Sequence, residues 1–379
     1  MIKTATIPAA VPAPTAAEHV RQFVEEQVVP RASDMDREQR MPPEVFRKMA
    51  EAGLLGLSIP QKYGGSEADY PTLGVLHEEL GRGFASVQNA CTVFAMVCKP
   101  LTRFGSEEQK EKWLPRIASG EIIPAIAITE PHMGSDIAKL ETAAVLENDQ
   151  IVLNGAKKYI TLGQVADLFL VFARLNGRGI AVLVERDTPG LQITPLPGLM
   201  GLRGNMLAEL NFENCAVPAN QLVGKVGYGF THLANYALDE GRYTTACGSV
   251  GLAQACLEHS LSYANERTQF GEPLRKHQLV QKMLTEMITE VKAARELCAA
   301  AGQLREQGDP AAITDTLVAK YYASKTAVRA ADHALQIHGA SGCIHGNPVE
   351  RFYRDAKIME IIEGTSQMHE LQIARTFTL

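Results

Sequence analysis

Apolar residues recur at three- and four-residue steps through the first third of the chain, which is the spacing of amphipathic helices. The clearest stretches are Val20–Val29, Pro43–Ala52 and Thr72–Leu80. Residues 17–122 are therefore predicted to form an all-helical N-terminal domain. Residues 1–16 are rich in alanine and proline, lack this pattern, and are expected to be a flexible arm.

The pattern changes near Pro124 to short apolar runs separated by turn residues, which is typical of strands. The runs are Ala125–Thr129, Ala143–Leu146, Ile151–Leu153, Leu168–Ala173, Ile180–Glu185 and Leu210–Phe212. Their spacing of roughly ten residues predicts a small β-barrel or sandwich over residues 123–228. No G-x-G-x-x-G motif is formed by Gly224, Gly227 and Gly229, which argues against a dinucleotide-binding βαβ fold.

Helical spacing returns from residue 229 to the C-terminus, in longer segments. One stripe contains Val280, Met283, Met287, Val291, Ala294 and Cys298, and a second contains Ile313, Leu317, Ala327, Val328, Ala331 and Leu335. Long amphipathic helices with short connections predict a helical bundle over residues 229–379. The order of helices, small β-domain and helical bundle places the chain in the α+β class.

Composition narrows the possible functions. The net charge of -6 argues against a nucleic-acid-binding protein. The seven cysteines form no C-x-x-C pair, which favours reduced thiols and a cytoplasmic location, and the ten histidines show no metal-ligand spacing. The sequence contains no apolar window of about 18 residues, so no membrane-spanning helix is expected.

Three segments interrupt the apolar pattern with polar residues and glycines. Ile128–Asp136 follows a predicted strand, and its hydroxyls, backbone amides and Gly134 suit a planar polar ligand. Arg267–Gly271, followed by His277-Gln278, places an arginine where it could clamp a phosphate. Taken alone, an ordinary turn and an arginine that caps a helix are the simpler interpretations.

The third segment contains Glu363, between Ile361-Ile362 and Gly364-Thr365. A glutamate in apolar surroundings loses hydration, so its pKa rises and it becomes a better base near neutral pH. The same glutamate could equally stand at the start of the last helix without a chemical role. The segment by itself does not decide between these two interpretations.

The ordered motifs together resemble the acyl-CoA dehydrogenase family, from about residue 17 to the end. The first matching residues are Thr129-Glu130-Pro131, Gly134-Ser135-Asp136, Tyr159-Ile160-Thr161 and Leu238-Asp239-Glu240-Gly241-Arg242. The later ones are Arg267, Phe270-Gly271, His277-Gln278, Gln336-Ile337-His338-Gly339, Pro348-Val349-Glu350-Arg351, Arg354-Asp355-Ala356-Lys357 and Glu363-Gly364-Thr365-Ser366-Gln367. The resemblance implies an N-terminal helical domain, a central β-domain and a C-terminal four-helix bundle.

The resemblance also implies the reaction. This family dehydrogenates an acyl thioester between Cα and Cβ, with FAD as the acceptor of the β-hydrogen as hydride. Glu363 matches the position of the family's base, which removes the α-proton. Some members carry the base one residue before the arginine that Arg242 matches, but that position is Gly241, so Glu363 is the matching candidate.

By the same resemblance, the binding residues can be assigned position by position. The flavin ring is expected to contact Ile128, Thr129, Gly134, Ser135, Tyr159, Ile160 and Thr161. The pyrophosphate and adenine end is expected to contact Arg267, Phe270 and Gln278. The adenosine part of an FAD seated mainly on a neighbouring subunit is expected to contact Gln336, Ile337, Gly339 and Ala340. FAD is also expected to touch Thr365 and Gln367, and the acyl-CoA to touch Ser135, Asp239, Arg242 and Gly364. Such shared sites imply a homotetramer or homodimer.

Several residues depart from the family pattern. Tyr159 stands where many members have tryptophan, Ile362 where a tyrosine is common, and Ala340 where the second of two glycines is usual. These departures leave open the acyl group and the electron acceptor more than the reaction. An acyl-CoA substrate with an electron-transferring flavoprotein as acceptor is the leading hypothesis. The alternatives are an acyl-carrier-protein substrate, an oxidase that uses oxygen, and a catalytically silent flavin-binding scaffold.

Overall fold

The computed structural model describes residues 13–378, and it begins with helices. They are α1 (Ala13–Phe23), a π-helical turn (Val24–Val28), α2 (Val29–Glu38), α3 (Pro43–Glu51), α4 (Tyr70–Gly83), α5 (Ala85–Phe104) and α6 (Glu107–Ala118). Helix α6 begins at a capping box, in which Ser106 and Gln109 satisfy each other's backbone N–H groups. Helix α1 starts four residues before the predicted domain boundary, and the rest of the predicted arm lies outside the described residues.

The central region is a seven-stranded curled sheet. Its strands are β1 (Pro124–Ala127), β2 (Ala143–Glu147), β3 (Gln150–Ile160), β4 (Leu168–Leu175), β5 (Arg178–Glu185), β6 (Leu191–Pro195) and β7 (Ala208–Pro218). The order is β1-β4-β2-β3-β7-β6, and β5 pairs with β4. The sequence pattern missed β6, which has only five residues, none of them fully buried. The rest of the predicted strand set is present, with β3 and β7 longer than expected.

The C-terminal region is a bundle of long helices. They are α7 (Asn235–Glu266), which follows a π-helical turn (Gly229–Ala234), then α8 (Gln278–Glu306), α9 (Ala312–His338), α10 (Pro348–Met359) and α11 (Ser366–Thr378). A short hairpin of β8 (Thr268–Gln269) and β9 (Glu272–Pro273) joins α7 to α8. The predicted stripe on α8 lies inward, with Met287, Val291, Ala294 and Cys298 buried.

The N-terminal helices and the bundle share one hydrophobic core, and the sheet encloses a second one. Helix α4 lies against α7 so closely that a Cβ on Gly251 would stand 1.9 Å from the carbonyl oxygen of Glu78. Glycine at this position therefore permits the two helix backbones to meet. Because α7 is clamped between α4, α5 and α9, it forms the rigid support for the residues that follow.

Helix α10 is tied to the rest of the molecule by part of a motif from the sequence analysis. Arg354 Nη2 lies 2.6 Å from Asp36 Oδ2 on α2, and the N–H of Leu202 donates to Asp355 Oδ1 at 2.7 Å. Both acidic groups are buried. These contacts fix the helix that leads into the Glu363 turn.

Candidate active site

Glu363 lies on the turn between α10 and α11, in an unusual backbone conformation. Its φ angle is +56°, in the left-handed region that non-glycine residues seldom adopt. Its Oε2 atom is inaccessible to solvent and has no hydrogen-bond partner among the described residues. Strained backbone and unpaired buried polar atoms each cost free energy, on the order of 1–3 kcal/mol, and they cluster at functional sites.

Helix α7 presents a glycine to this carboxylate. A Cβ placed on Gly241 would stand 2.5 Å from Glu363 Oε2 and 2.8 Å from Met96 Sδ on α5. The absence of a side chain at Gly241 thus makes the space that the Glu363 carboxylate occupies. Gly241 is therefore part of the wall beside the Glu363 carboxylate.

Burial and the neighbouring cations act in opposite directions on the pKa of Glu363. Burial raises the pKa of the carboxyl to about 7, against the lowering effect of the Arg242 and Lys320 cations. Arg242 also contacts the turn directly, because its Nε donates to the backbone carbonyl of Glu363 at 3.3 Å. A carboxyl with a pKa near 7 is well suited to proton abstraction at neutral pH.

The turn rests on two further buried side chains. Lys320 of α9 is fully buried, and its Nζ donates to the carbonyl of Gly364 at 3.0 Å and to that of Glu360 at 3.4 Å. His369 of α11 is also fully buried, and its Nε2 lies 3.1 Å from the place of a Cβ on Gly364. Burial lowers the pKa of His369 to about 3, so the ring is neutral at physiological pH.

The first predicted flavin segment is held against β3 by a buried ion pair. Lys157 Nζ lies 2.8 Å from Glu130 Oε1 and donates to the carbonyl of Ile128 at 3.2 Å. Glu130 also accepts hydrogen bonds from the backbone N–H groups of Glu141 and Thr142. One residue after Lys157, the N–H of Lys158 donates to the carbonyl of Thr129 at 2.9 Å. The structure therefore brings segment 128–135 beside segment 159–161.

The surface made by these two segments is open and polar. A Cβ on Gly134 would meet nothing within 4 Å, and Ser135 is exposed. Tyr159 is 58% exposed and its own φ angle is +60°. It lies at a register shift in the pairing of β3 with β7. Ile160 is buried and Thr161 half-buried. Exposed hydroxyls and backbone donors beside an exposed aromatic ring fit the polar edge and the face of an isoalloxazine.

The second predicted cofactor segment is at the far end of α7. Arg267, Phe270 and Gln278 are exposed on and after the β8–β9 hairpin, and the Phe270 side chain is 96% exposed. The hairpin, which sequence reasoning treated as a loop, is closed by a hydrogen bond from the N–H of Leu274 to the carbonyl of Arg267 at 2.8 Å. Twenty-five helical residues separate Arg242 from Arg267, a distance of about 37 Å along the axis.

The end of α9 lies beside this hairpin end of the bundle. Tyr263 of α7 stacks on His338 at 4.3 Å between ring centroids, and Ser341 Oγ donates to Tyr263 Oη at 3.2 Å. Gln336, Gly339 and Ala340 are exposed there, whereas Ile337 is buried. One chain therefore groups these residues with Arg267 and Phe270, but it does not bring them to Glu363.

The remaining predicted residues lie around the Glu363 turn. Gly364, Thr365 and Gln367 follow Glu363 along the chain, with Gln367 exposed. Asp239 lies one helical turn before Arg242, but its Oδ2 atom pairs with Arg305 Nη1 at 2.6 Å. Arg305 also binds Glu240 at 3.0 Å, so Asp239 belongs to a buried ion cluster of the chain itself.

Comparison with known proteins identifies the family. Residues 15–121, 125–215 and 227–378 match the family models described as the N-terminal, middle and C-terminal domains of acyl-CoA dehydrogenase. An acyl-CoA dehydrogenase of Bacillus subtilis (strain 168) is 39% identical over 362 residues, which cover 94% of this chain and 95% of that protein. The chain belongs to the acyl-CoA dehydrogenase family.

Solved structures agree with this family assignment. The structure of butyryl-CoA dehydrogenase from Megasphaera elsdenii has a TM-score of 0.94 at 31% identity and covers 98% of this chain and 100% of that one. The prolyl acyl carrier protein oxidase AnaB has a TM-score of 0.93 at 32% identity, with coverage of 98% and 100%. The predicted fold class and enzyme class are confirmed.

Sequence reasoning missed a column of polar residues on α5 that begins one turn from Met96, beside Glu363. Gln88, Thr92 and Met96 follow at four-residue steps on one face of α5, and Thr92 Oγ1 donates to Thr244 Oγ1 at 3.0 Å. Gln88 Nε2 bonds Thr92 Oγ1 at 2.9 Å and His77 Nδ1 at 3.0 Å. All are buried. The signal available in the sequence was that Gln88 and Thr92 occupy positions of α5 where the helical period places buried, normally apolar residues.

Within residues 13–378, no group of three or more His, Cys, Asp and Glu side chains is placed to bind a metal ion. None of the helices in that same range combines the length and apolar character that a membrane crossing needs.

Proposed function

We propose that this acyl-CoA dehydrogenase family enzyme removes the α-proton of an acyl thioester with Glu363. The observation that carries the proposal is the unpaired, inaccessible Oε2 atom of a carboxyl whose pKa burial raises to about 7. An α-carbon is a weak acid, so its proton must go to a base that is desolvated and held in place. Glu363 meets both conditions, because Gly241 gives it room and Arg242 holds its backbone.

The backbone of the same residue offers a second contribution. The N–H groups of Ile361 and Ile362 donate to the carbonyl of Ile358, but the N–H of Glu363 has no acceptor within the described chain. It is therefore free to donate to the thioester oxygen, where negative charge develops as the α-proton leaves. A donor of this kind contributes roughly 2.7–4 kcal/mol in comparable sites.

The cofactor proposed is FAD, which supplies the acceptor for the β-hydrogen as hydride when it is bound. The residues that would hold its ring are Ile128, Thr129, Gly134, Ser135, Tyr159, Ile160 and Thr161. The open space at Gly134 and the exposed Tyr159 ring support this placement. The buried Glu130–Lys157 pair keeps the two segments together and so preserves the shape of the surface.

The decisive variant is Glu363→Gln, which keeps the shape of the side chain and removes the base. We expect it to keep FAD, by its absorbance spectrum, and to lose roughly 10²–10⁴-fold in the rate of anaerobic flavin bleaching by an acyl thioester. Glu370→Gln is the matched control, since that carboxylate is exposed and pairs with Tyr321 on the surface. A Glu363→Gln enzyme that bleaches at the control's rate refutes the proposal.

The polar column supports a short acyl group. Met96 stands beside Glu363, and one turn further along α5 the buried Thr92–Thr244 hydrogen bond begins. A long alkyl chain between α5 and α7 would have to break these bonds and leave buried polar groups unpaired. We therefore propose a short-chain substrate, tested by comparing kcat/KM for four- and twelve-carbon acyl-CoAs. Faster turnover of the longer substrate contradicts this proposal.

The carrier and the electron acceptor are the finer points of the proposal. Acyl-CoA with an electron-transferring flavoprotein is our first choice, and the likeness to the acyl carrier protein oxidase AnaB favours carrier-bound substrate and oxygen as the second. Turnover of the same acyl group on CoA and on an acyl carrier protein separates the substrates. Release of hydrogen peroxide during aerobic turnover identifies the oxidase.

We propose further that the enzyme works as a homodimer or homotetramer. The adenosine-end residues of one chain stand about 37 Å from its base along α7, which is the distance that a neighbouring copy would bridge. Phe270, 96% exposed on the hairpin that also carries Arg267, is accessible to a ligand or to a second copy. The oligomeric mass in solution by light scattering tests the assembly, and a monomer that retains FAD contradicts it.

A further inference from the structure

Lys320 is a fully buried lysine directly beneath the Glu363 turn. It occupies the inward face of α9, one turn after Leu317 and one turn before Ser324, where small or apolar residues would otherwise pack. Its ammonium donates to two backbone carbonyls, of Gly364 at 3.0 Å and of Glu360 at 3.4 Å. Burying an ammonium is unfavourable unless fixed acceptors compensate it. The acceptors here are the two ends of the segment that carries the base.

We propose that Lys320 is a positioning residue for Glu363: its ammonium ties the carbonyls on both sides of the base and places a positive charge beneath the carboxylate. This inference rests on the proposed role of Glu363 in proton abstraction. The hydrogen bonds of Lys320 go to backbone carbonyls, and the Oε2 atom of Glu363 has no hydrogen-bond partner among the described residues. It acts through the backbone and through its charge.

The backbone argument follows from the conformation of the turn. Glu363 and Gly364 both have positive φ, at +56° and +98°, so no regular helix hydrogen bond satisfies the carbonyls around them. Arg242 holds one carbonyl, that of Glu363, from the α7 side. Lys320 holds those of Glu360 and Gly364 from the α9 side. The turn is therefore clamped by one cation on each side, and loss of either lets the carboxylate move.

The charge argument concerns every ionisable group that faces the turn. Arg242 from α7 and Lys320 from α9 both lower the pKa of Glu363. His369 from α11 is neutral, because burial and the same two cations lower its pKa to about 3. Burial lowers the pKa of Lys320 to about 7, against the charges of Glu363 and Glu360. Removing the Lys320 charge must therefore raise the pKa of Glu363 further above its ordinary value.

The test compares Lys320→Met, which removes the charge and the donors at nearly constant volume, with Lys325→Met as the matched control. Lys325 lies on the same helix and is partly exposed, with its Nζ on Tyr321 and Glu370. The holoenzymes are compared by the pH profile of kcat/KM, by flavin content, and by thermal unfolding. The pH titration of the Glu363 carboxyl is followed independently by its infrared band, identified as the band that Glu363→Gln removes.

We expect Lys320→Met to bind FAD and to lose on the order of 10- to 100-fold in kcat/KM at neutral pH. Its acid limb and its carboxyl band should both move to higher pH than in the wild type and in Lys325→Met. Lys320→Arg keeps the positive charge but changes the geometry of the donors. The acid limb of its kcat/KM profile should therefore stay at the wild-type pH, while kcat/KM itself falls. If Lys320→Met does not fold, the Arg variant carries the test.

Two results would overturn the inference. The first is a Lys320→Met or Lys320→Arg enzyme with wild-type kcat/KM at every pH. The second is a pH profile of the wrong kind. Either Lys320→Met loses kcat/KM by the same factor at every pH, or the acid limb of the Lys320→Arg profile moves away from the wild-type pH. An active Glu363→Gln enzyme would instead refute the function itself, so the two failures remain distinguishable.

Discussion

The two ends of helix α7 differ in how complete they are within one chain. At the Arg242 end, the candidate base is enclosed by Gly241, Met96 and Lys320, and its inner carboxylate oxygen is inaccessible. At the Arg267 end, the hairpin carries a phenylalanine that is 96% exposed. Under the proposed function, proton abstraction takes place in a desolvated, preorganised site that a single fold builds, whereas the nucleotide site is completed by a second copy.

After Glu363→Gln, the largest effect on the rate is expected from Gly241→Ala, a change at the enclosed Arg242 end of α7. The new methyl would stand 2.5 Å from Glu363 Oε2, so the flexible carboxylate has to move while the helix stays in place. A displacement of this size costs on the order of 100-fold in rate. We expect kcat to fall by that factor, with FAD content and thermal unfolding close to the wild type. Unchanged kcat would mean that the carboxylate acts from elsewhere.

The second expected effect is a dependence of kcat/KM on pH that follows the protonation of Glu363, at the Arg242 end of α7. Glu363 must be unprotonated to accept the α-proton, and its folded-state pKa is raised to about 7. kcat/KM should therefore rise about tenfold per pH unit below pH 7 and level off above it. A profile that is already level from pH 5 would show that the carboxyl titrates in its ordinary range.

The smallest effect on the rate of proton abstraction is expected from Phe270→Ala, a change on the exposed hairpin at the Arg267 end of α7. We expect a weaker assembly and an FAD affinity lower by about tenfold, the loss of about 1.4 kcal/mol of contact. The acid limb of the kcat/KM profile should not move, because Phe270 is remote from Glu363. The matched control is Phe377→Ala, which removes a ring that is 77% exposed on α11. Equal behaviour of the two variants would remove the distinction between the ends.

Much of the fold could be predicted from the local pattern. Helical spacing located α3, α4 and α8, and short apolar runs located the strands from β1 to β5 and β7, because buried faces impose their period on the sequence. Strand β6 and the β8–β9 hairpin were missed because they are short, with five residues in β6 and two in each hairpin strand, and because their residues are largely exposed. The strand predicted at Ile151–Leu153 continues to Ile160, because register shifts at Leu153/Gly155 and at Lys157/Ile160 interrupt its alternation without ending its pairing with β7.

The candidate site divides in the same way. The sequence alone determined the chemical type of its residues: a glutamate beside two isoleucines, an arginine on a long helix, and the ordered motifs that indicate the family. Only the tertiary structure decided that Gly241 makes room for the carboxylate, that Lys320 lies beneath the turn, and that Asp239 is paired with Arg305. These contacts join residues 44 to 122 positions apart. Periodicity along a chain carries no information about which distant side chains meet. Burial and the pKa of Glu363 depend on those meetings, so they belong to the fold rather than to the segment that bears the residue.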